Sequence, residues 1–202
     1  MKKILLLIFL SVGVFYFVFK ANAEEPSQVL RIRQKGKEAL DFCKKNNYNT
    51  DFCVLIDLKR HSGKKRAYIW NFSNDSVLLK GMCSHGCGKE PWGGTNTKDS
   101  PVFSNTPDSH CSSLGKYKVA ERGVSAWGIK VNYRLVGLES TNNNAAKRQI
   151  VLHSWSDVPD SEVYPFGVPE GWGCPAVSDE FMTELDKKLK NSGKPVLLWV
   201  FN

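Results

Sequence analysis

Six short runs of β-branched and aromatic residues, each ended by glycine, asparagine, aspartate or serine, do most to limit what this chain can fold into. They are Val54 to Leu58, Ala67 to Phe72, Val77 to Met82, Ile129 to Leu138, Gln149 to Trp155 and Pro195 to Phe201. Runs of this length fit strands better than helices, so the sequence predicts a mainly β (α+β) domain. His61-Ser62-Gly63-Lys64 supplies the turn of a hairpin between the first two runs. Two segments follow a helical period instead. From Ser27 to about Asn46, the residues Val29, Ile32, Ala39, Leu40 and Cys43 recur among lysines and arginines, which predicts an amphipathic helix packed on the domain. Later, Phe181, Met182, Leu185 and Leu189 make one helical face, with Ser178 as N-cap, Asp179 and Glu180 in the first turn, and Gly193 as the stop. Between about Ser84 and Ser113 lies a long loop rich in small and polar residues, of the kind that shapes a binding site or is tied by disulfides.

The amino terminus sets the compartment. Lys2 and Lys3 precede an apolar run from Ile4 to Phe19, followed by Ala21-Asn22-Ala23. That order is the pattern of a cleavable secretory signal over residues 1–23. An uncleaved membrane anchor is the alternative reading of the same run. Residues 24–50 then form a helical segment and residues 51–202 the main domain, exported to the periplasm or cell envelope. Losing Lys2, Lys3 and Lys20 lowers the formal charge from +8 to +5 and leaves 179 residues, enough for one domain with a substantial core. A basic balance favours anionic polymers, but the scattered lysines and the compartment exclude nucleic acid as a partner.

In an exported chain, cysteines are read first as disulfide partners. Cys43, Cys53, Cys83, Cys87 and Cys111 are the candidates, with Cys43 and Cys53 forming a clip between the first helix and the first strand. Five cannot all pair within one chain, so a spare thiol is expected. A structural zinc site from Cys83, His85, Cys87, His110 and Cys111 is the competing reading. The one-residue gaps of Cys83-x-His85-x-Cys87 are tighter than the usual zinc spacing, and the compartment favours oxidation, so no metal and no cofactor is expected.

Cys174 stands apart. Gln149-Ile-Val-Leu-His153-Ser154-Trp155 ends a strand run on a histidine, and Gly171-Trp172-Gly173-Cys174-Pro175 follows shortly after. A thiol becomes a nucleophile when a base is close, and a helix starting beyond it helps to hold the thiolate. Gly173 permits a tight turn, and the amides of Gly173 and Cys174 are then candidates for an oxyanion hole. The histidine precedes the cysteine, the reverse of the papain-like order. A disulfide role for Cys174 and a structural role for His153 are the plainer alternatives.

Several separated segments share one resemblance. Phe103-Ser104-Asn105, Ser112-Ser113-Leu114-Gly115-Lys116-Tyr117, Val151-Leu152-His153-Ser154 and Trp172-Gly173-Cys174-Pro175-Ala176-Val177 resemble the L,D-transpeptidase (YkuD-like) superfamily, in its murein L,D-transpeptidase catalytic-domain-like branch. The resemblance runs from about Asp51 to the carboxyl terminus and implies an L,D-transpeptidase-like β-sandwich. It also implies a cysteine acyltransferase acting on peptidoglycan stem peptides through a thioester, with Cys174 as nucleophile and His153 as base. The carbonyl of Ser154 is implied as the group that orients the imidazole. His85 and Gly86 match a second glycine-flanked histidine that lines the cleft in this branch, with a solvated loop histidine as the alternative. Trp172 is expected to stack on substrate or to pack beneath the turn. Ser104, Asn105 and Ser113 are expected to hold the long loop against the site, although local turn bonding uses the same residue types.

The chain departs from the wider family at Ala176, where an arginine or asparagine is usual, and at Gly171, where serine or threonine is common; no arginine follows Arg148. That absence also sets sortases apart, since they need such an arginine. The acyl acceptor implied is the amine of a second stem, or of a wall-attached protein or lipoprotein. Water as acceptor would make a carboxypeptidase. An endopeptidase or amidase on the same scaffold, and a non-catalytic wall-binding module with an oxidised cysteine, remain open alternatives.

Overall fold

The structure, a computed structural model, describes residues 26–202. The expected secretory segment, residues 1–23, lies outside the described residues. The elements run in the order α1 (Pro26–Asn46), β1 (Phe52–Asp57), β2 (Ala67–Asn71), β3 (Ser76–Gly81), β4 (Gly115–Val124), β5 (Val131–Gly137), β6 (Val151–Ser154), β7 (Ala176–Val177), α2 (Asp179–Lys190) and β8 (Val196–Phe201). All eight strands join one sheet in the order β3-β2-β1-β8-β4-β5-β6-β7. Neighbours are antiparallel except β1 with β8 and β6 with β7.

The sheet curls until its two edges meet. Just past β3, Cys83 bridges Val177 of β7, and the Ser84 amide donates to the Ala176 carbonyl at 2.7 Å. This barrel-like sandwich encloses a core in which Val54, Ile56, Val196, Leu198 and Val200 meet Tyr117, Val119, Tyr133, Leu135 and Leu152. Phe181, Met182, Leu185 and Leu189 of α2 pack against the same core. The alternate residues of β1 and β8, namely Cys53, Leu55, Leu197, Trp199 and Phe201, point the other way and are covered by Ile32, Ala39 and Cys43 of α1. With both faces covered, β1 and β8 are buried along their whole length, which is why they read as continuous apolar runs. Helix α1 comes close enough that a side chain at Gly36 would enter the Trp70 indole. Arg31 completes the seam by donating to the buried carboxylate of Asp57 at 2.9 Å.

Several sequence expectations need correction. Strand β4 was not among the six runs, because Lys116, Lys118, Glu121 and Arg122 dilute it, although Tyr117 and Val119 keep the inward period of two. Ser178 occupies the N-cap position of α2, but its side chain makes no capping bond, and the helix ends at Asn191 before Gly193 is reached. Val29, taken as part of the apolar face of α1, is largely exposed. The expected disulfides are not formed: Cys43, Cys53, Cys83, Cys87 and Cys111 are all buried free thiols. Cys43 and Cys53 share the core beneath α1, while Cys83 is fully enclosed and donates to the Ser84 carbonyl. Among the described residues, no group of three His, Cys, Asp or Glu side chains converges on a metal position.

Helix α2 is fastened to the sheet by one carboxylate. Asp186 accepts from Arg122 of β4 at 2.8 Å, from the Tyr133 hydroxyl of β5 at 2.8 Å and from Lys190 at 3.0 Å. Burial alone would raise its pKa, but these donors outweigh it and hold the carboxyl down at about 2. A carboxyl depressed in the folded state stabilises above its unfolded value and loses that contribution as pH falls through the folded value. Asp186→Asn is therefore expected to cost about 1–2 kcal/mol at pH 7, allowing for solvent screening of the exposed partners. The difference from the wild type should shrink toward zero as pH approaches 2, which urea unfolding at several pH values would check.

Candidate active site

The short parallel pair of β6 and β7 builds the site. Its register sets His153 beside Ala176 and Ser154 beside Val177, so the Gly173-Cys174-Pro175 turn lies along the start of β6. The Val151 amide points at the Cys174 sulfur from 3.4 Å. The thiol thus lies against the first residue of β6 and the imidazole projects from the third. His153 holds its Nδ1 against the Ser154 carbonyl at 2.9 Å, so Nδ1 carries the proton and Nε2 is left bare to accept one. The Ser154 hydroxyl faces elsewhere and accepts from the Ile129 amide at 3.0 Å.

Burial moves both groups toward neutrality. It lowers the His153 pKa below the usual 6.5, offset in part by the bond to Ser154. It raises the Cys174 pKa above the usual 9.0, opposed by the Val151 amide and the nearby Arg148 charge. Burial therefore favours the neutral form of each group. Helix α2 begins at Asp179, with β7 between it and Cys174, while the Val151 amide points directly at the sulfur.

Gly173 adopts φ +98°, and a side chain there would collide with the Cys111 carbonyl. Among the described residues, no backbone carbonyl accepts from the Gly173 or Cys174 amide. Beneath the turn lies a cavity of about 10 Å³, bordered by Ser84, Ser112, Ser113 and Tyr117, which is room for about one water. The Ser112 hydroxyl donates to the Gly173 carbonyl at 3.3 Å from the same side.

The remaining candidates fall into different places. His85 does not line a cleft: it is fully buried, its Nδ1 accepts from Arg66 at 2.6 Å and its Nε2 donates to Thr97 at 2.9 Å. Desolvation and the Arg66 charge push its pKa down to about 3, so the ring stays neutral. The alternative of a solvated loop histidine fails for the same reason. Gly86 lies under the site as packing, with its amide donating to the Ser112 hydroxyl at 3.0 Å and no space for a side chain. Trp172 is 62% exposed and stacks on His110, with ring centres 5.1 Å apart, instead of being buried below the turn. Ser113 donates to the Ser104 carbonyl at 2.8 Å, and Asn105 ties the loop to Ser140 and Asn143. The loop is therefore anchored by hydrogen bonds, and Ser104, Asn105 and Ser113 reach the site through backbone placement.

Arg148 was not singled out as a site residue from the sequence. Its guanidinium donates to the Ser104 carbonyl, the Ser113 hydroxyl and the Cys111 carbonyl at 3.0, 2.5 and 2.6 Å. Its position five residues before His153 is the only hint the sequence offers, and it gains meaning once β6 is placed.

The family model described as L,D-transpeptidase catalytic domain matches residues 25–199. The chain belongs to the L,D-transpeptidase catalytic-domain family. No curated protein matches the chain. Among solved structures, it is similar to the L,D-transpeptidase of Xylanimonas cellulosilytica, with 12% identity, a TM-score of 0.45, and coverage of 80% of this chain and 68% of that one. It is also similar to the helical cell shape determining protein Pgp2 of Campylobacter jejuni, with 10% identity, a TM-score of 0.44, and coverage of 83% and 55%. Bd1075 of Bdellovibrio bacteriovorus gives 14% identity, a TM-score of 0.43, and coverage of 77% and 49%. The chain thus spans about half the length of the last two.

Gly173→Ala is expected to lower stability by about 1–3 kcal/mol, through the left-handed φ and the collision with Cys111. Gly193→Ala, where nothing lies within 4 Å, should leave stability near the wild-type value. Thermal unfolding of the two variants side by side checks this contrast.

Proposed function

We propose that this protein is a cysteine-dependent L,D-transpeptidase of the cell envelope, acting on peptidoglycan stem peptides. The observation that supports the reading is the parallel register of His153 with Ala176, two residues past an unbridged Cys174, with the imidazole Nδ1 held by the Ser154 carbonyl. In this reading, Nε2 of His153 takes the thiol proton as the sulfur attacks the carbonyl between the third stem residue and a terminal D-alanine. The amides of Gly173 and Cys174 receive the oxyanion. The carbon–nitrogen bond then breaks, the imidazolium returns its proton to the leaving amine, and D-alanine departs from a thioester. An acceptor amine attacks the thioester, giving up its proton to His153 and freeing the thiol. Water in the acceptor's place gives the carboxypeptidase outcome.

A free Cys174 thiol favours catalysis over the wall-binding alternative, which requires that sulfur to be oxidised. Export rests on the order of charged, apolar and small residues from Lys2 to Ala23. Exposed Trp172, stacked on His110 next to the turn, is suited to contact a stem peptide or its sugar.

The test is mass spectrometry of tetrapeptide muropeptides incubated with the chain lacking residues 1–23, with Cys174→Ala as control. Cross-linked dimers lacking one D-alanine, reduced at least about 10³-fold in the variant, are the expected result. Tripeptides alone would make the enzyme a carboxypeptidase, and separated stems an endopeptidase or amidase. No change with the wild type would remove the reading. Because His153 must be neutral to act and its pKa is lowered, activity is expected to persist below pH 6.5 and fall only as the imidazole takes up a proton. A kcat/KM profile from pH 4 to 8 checks the position of that acid limb.

A further inference from the structure

We propose that Arg148 is a positioning residue of the active site, clamping the 104–113 loop onto the Gly173-Cys174 turn and turning its charge toward the thiol. The inference rests on the reading of Cys174 as the nucleophile. Arg148 lies in the segment that leads into β6, and its guanidinium reaches back to three acceptors of a single loop: the Ser104 carbonyl, the Ser113 hydroxyl and the Cys111 carbonyl. A planar fork satisfies several acceptors at fixed angles, which an ammonium does not. Ser113 passes the contact on by donating to the Ser104 carbonyl, so both ends of the loop hang on one side chain.

The second half of the argument is the turn itself. The space a side chain at residue 173 would need is already taken by the Cys111 carbonyl and by Arg148 Nη2, the latter 3.1 Å from the Cβ position. Cys111 is therefore gripped by Arg148 on one side and pressed against Gly173 on the other. Moving the guanidinium moves the carbonyl that fixes the turn, and with it the two amides offered to the oxyanion. The same closeness to residue 173 puts a positive charge near the Gly173-Cys174 turn, where it opposes the burial that disfavours the thiolate. Among the described residues, Val151 supplies the only amide directed at that sulfur. Arg148 thus acts on the nucleophile in two ways, by geometry through Cys111 and by charge through space.

Two variants of the full chain separate these effects. Arg148→Gln removes charge and fork, while Arg148→Lys keeps the charge and loses the fork. Iodoacetamide alkylation of Cys174, followed by peptide mapping against pH, reads the thiolate without any peptidoglycan. Arg148→Gln is expected to slow alkylation at pH 7 about tenfold and to move the profile to higher pH. Arg148→Lys should keep a profile close to wild type yet lose about tenfold or more in kcat on tetrapeptide muropeptides, with KM little changed. Near-UV circular dichroism reports whether each variant is folded; if Arg148→Gln is not, the lysine variant decides alone by its kcat at a retained profile. Wild-type alkylation and kcat in the folded variants would overturn the proposal, as would activity lost only in proportion to folded protein. If the wild type does not act on muropeptides, the functional reading falls while alkylation still decides the role of Arg148.

Discussion

Two residues of parallel strand, Ala176 and Val177, carry more of this structure than their length implies. Their pairing with His153 and Ser154 lays the Gly173-Cys174 turn along β6, and the carbonyl of Ala176 accepts the Ser84 amide that brings the far edge of the sheet round to close it. Sheet closure and the placing of the candidate site therefore share the same backbone groups. A sheet edge left open at this point would expose unpaired backbone groups and also free the Gly173-Cys174 turn from β6. Each long loop is fastened near this seam, through Gly86 to Ser112 and through Cys87 to Gly171.

The electrostatics follow from burial. A cysteine and a histidine placed under loops lose hydration, which disfavours thiolate and imidazolium alike. Both groups are thereby held toward their neutral forms, in contrast to sites that keep a thiolate ready beside a helix N-terminus. The Ser154 carbonyl settles which ring nitrogen is free, and the Val151 amide supplies the local dipole that a helix would otherwise give.

How far the sequence reaches can be judged from particular residues. The six apolar runs locate six of the eight strands within a few residues, because β1, β2 and β8 are buried nearly throughout and β5 and β6 largely alternate between buried and less buried positions. Strand β4 hides behind its lysines, and β7 is too short to have a pattern at all. The register of β6 with β7 is a tertiary fact, so the sequence offers His153 and Cys174 as candidates without showing that they adjoin. His85 misleads for a related reason: a glycine-flanked histidine in a polar loop reads as exposed, and only the fold reveals Arg66 facing it in the interior. Arg148 is invisible in the same way, since its acceptors lie on a loop far away in the chain.

The enclosure of His85 reaches beyond the loop it holds. Its ring, with those of His61 and His153, is less basic in the fold than in the open chain. Unfolding therefore gives all three imidazoles a chance to bind protons that the native state turns away. Protons then act as a ligand of the unfolded chain: as pH drops below 6.5 each such histidine draws the balance toward unfolding, and for His85 this continues to about pH 3. The packing around these three rings thus makes mild acid, in which free imidazoles take up protons, a condition in which the fold begins to lose its margin.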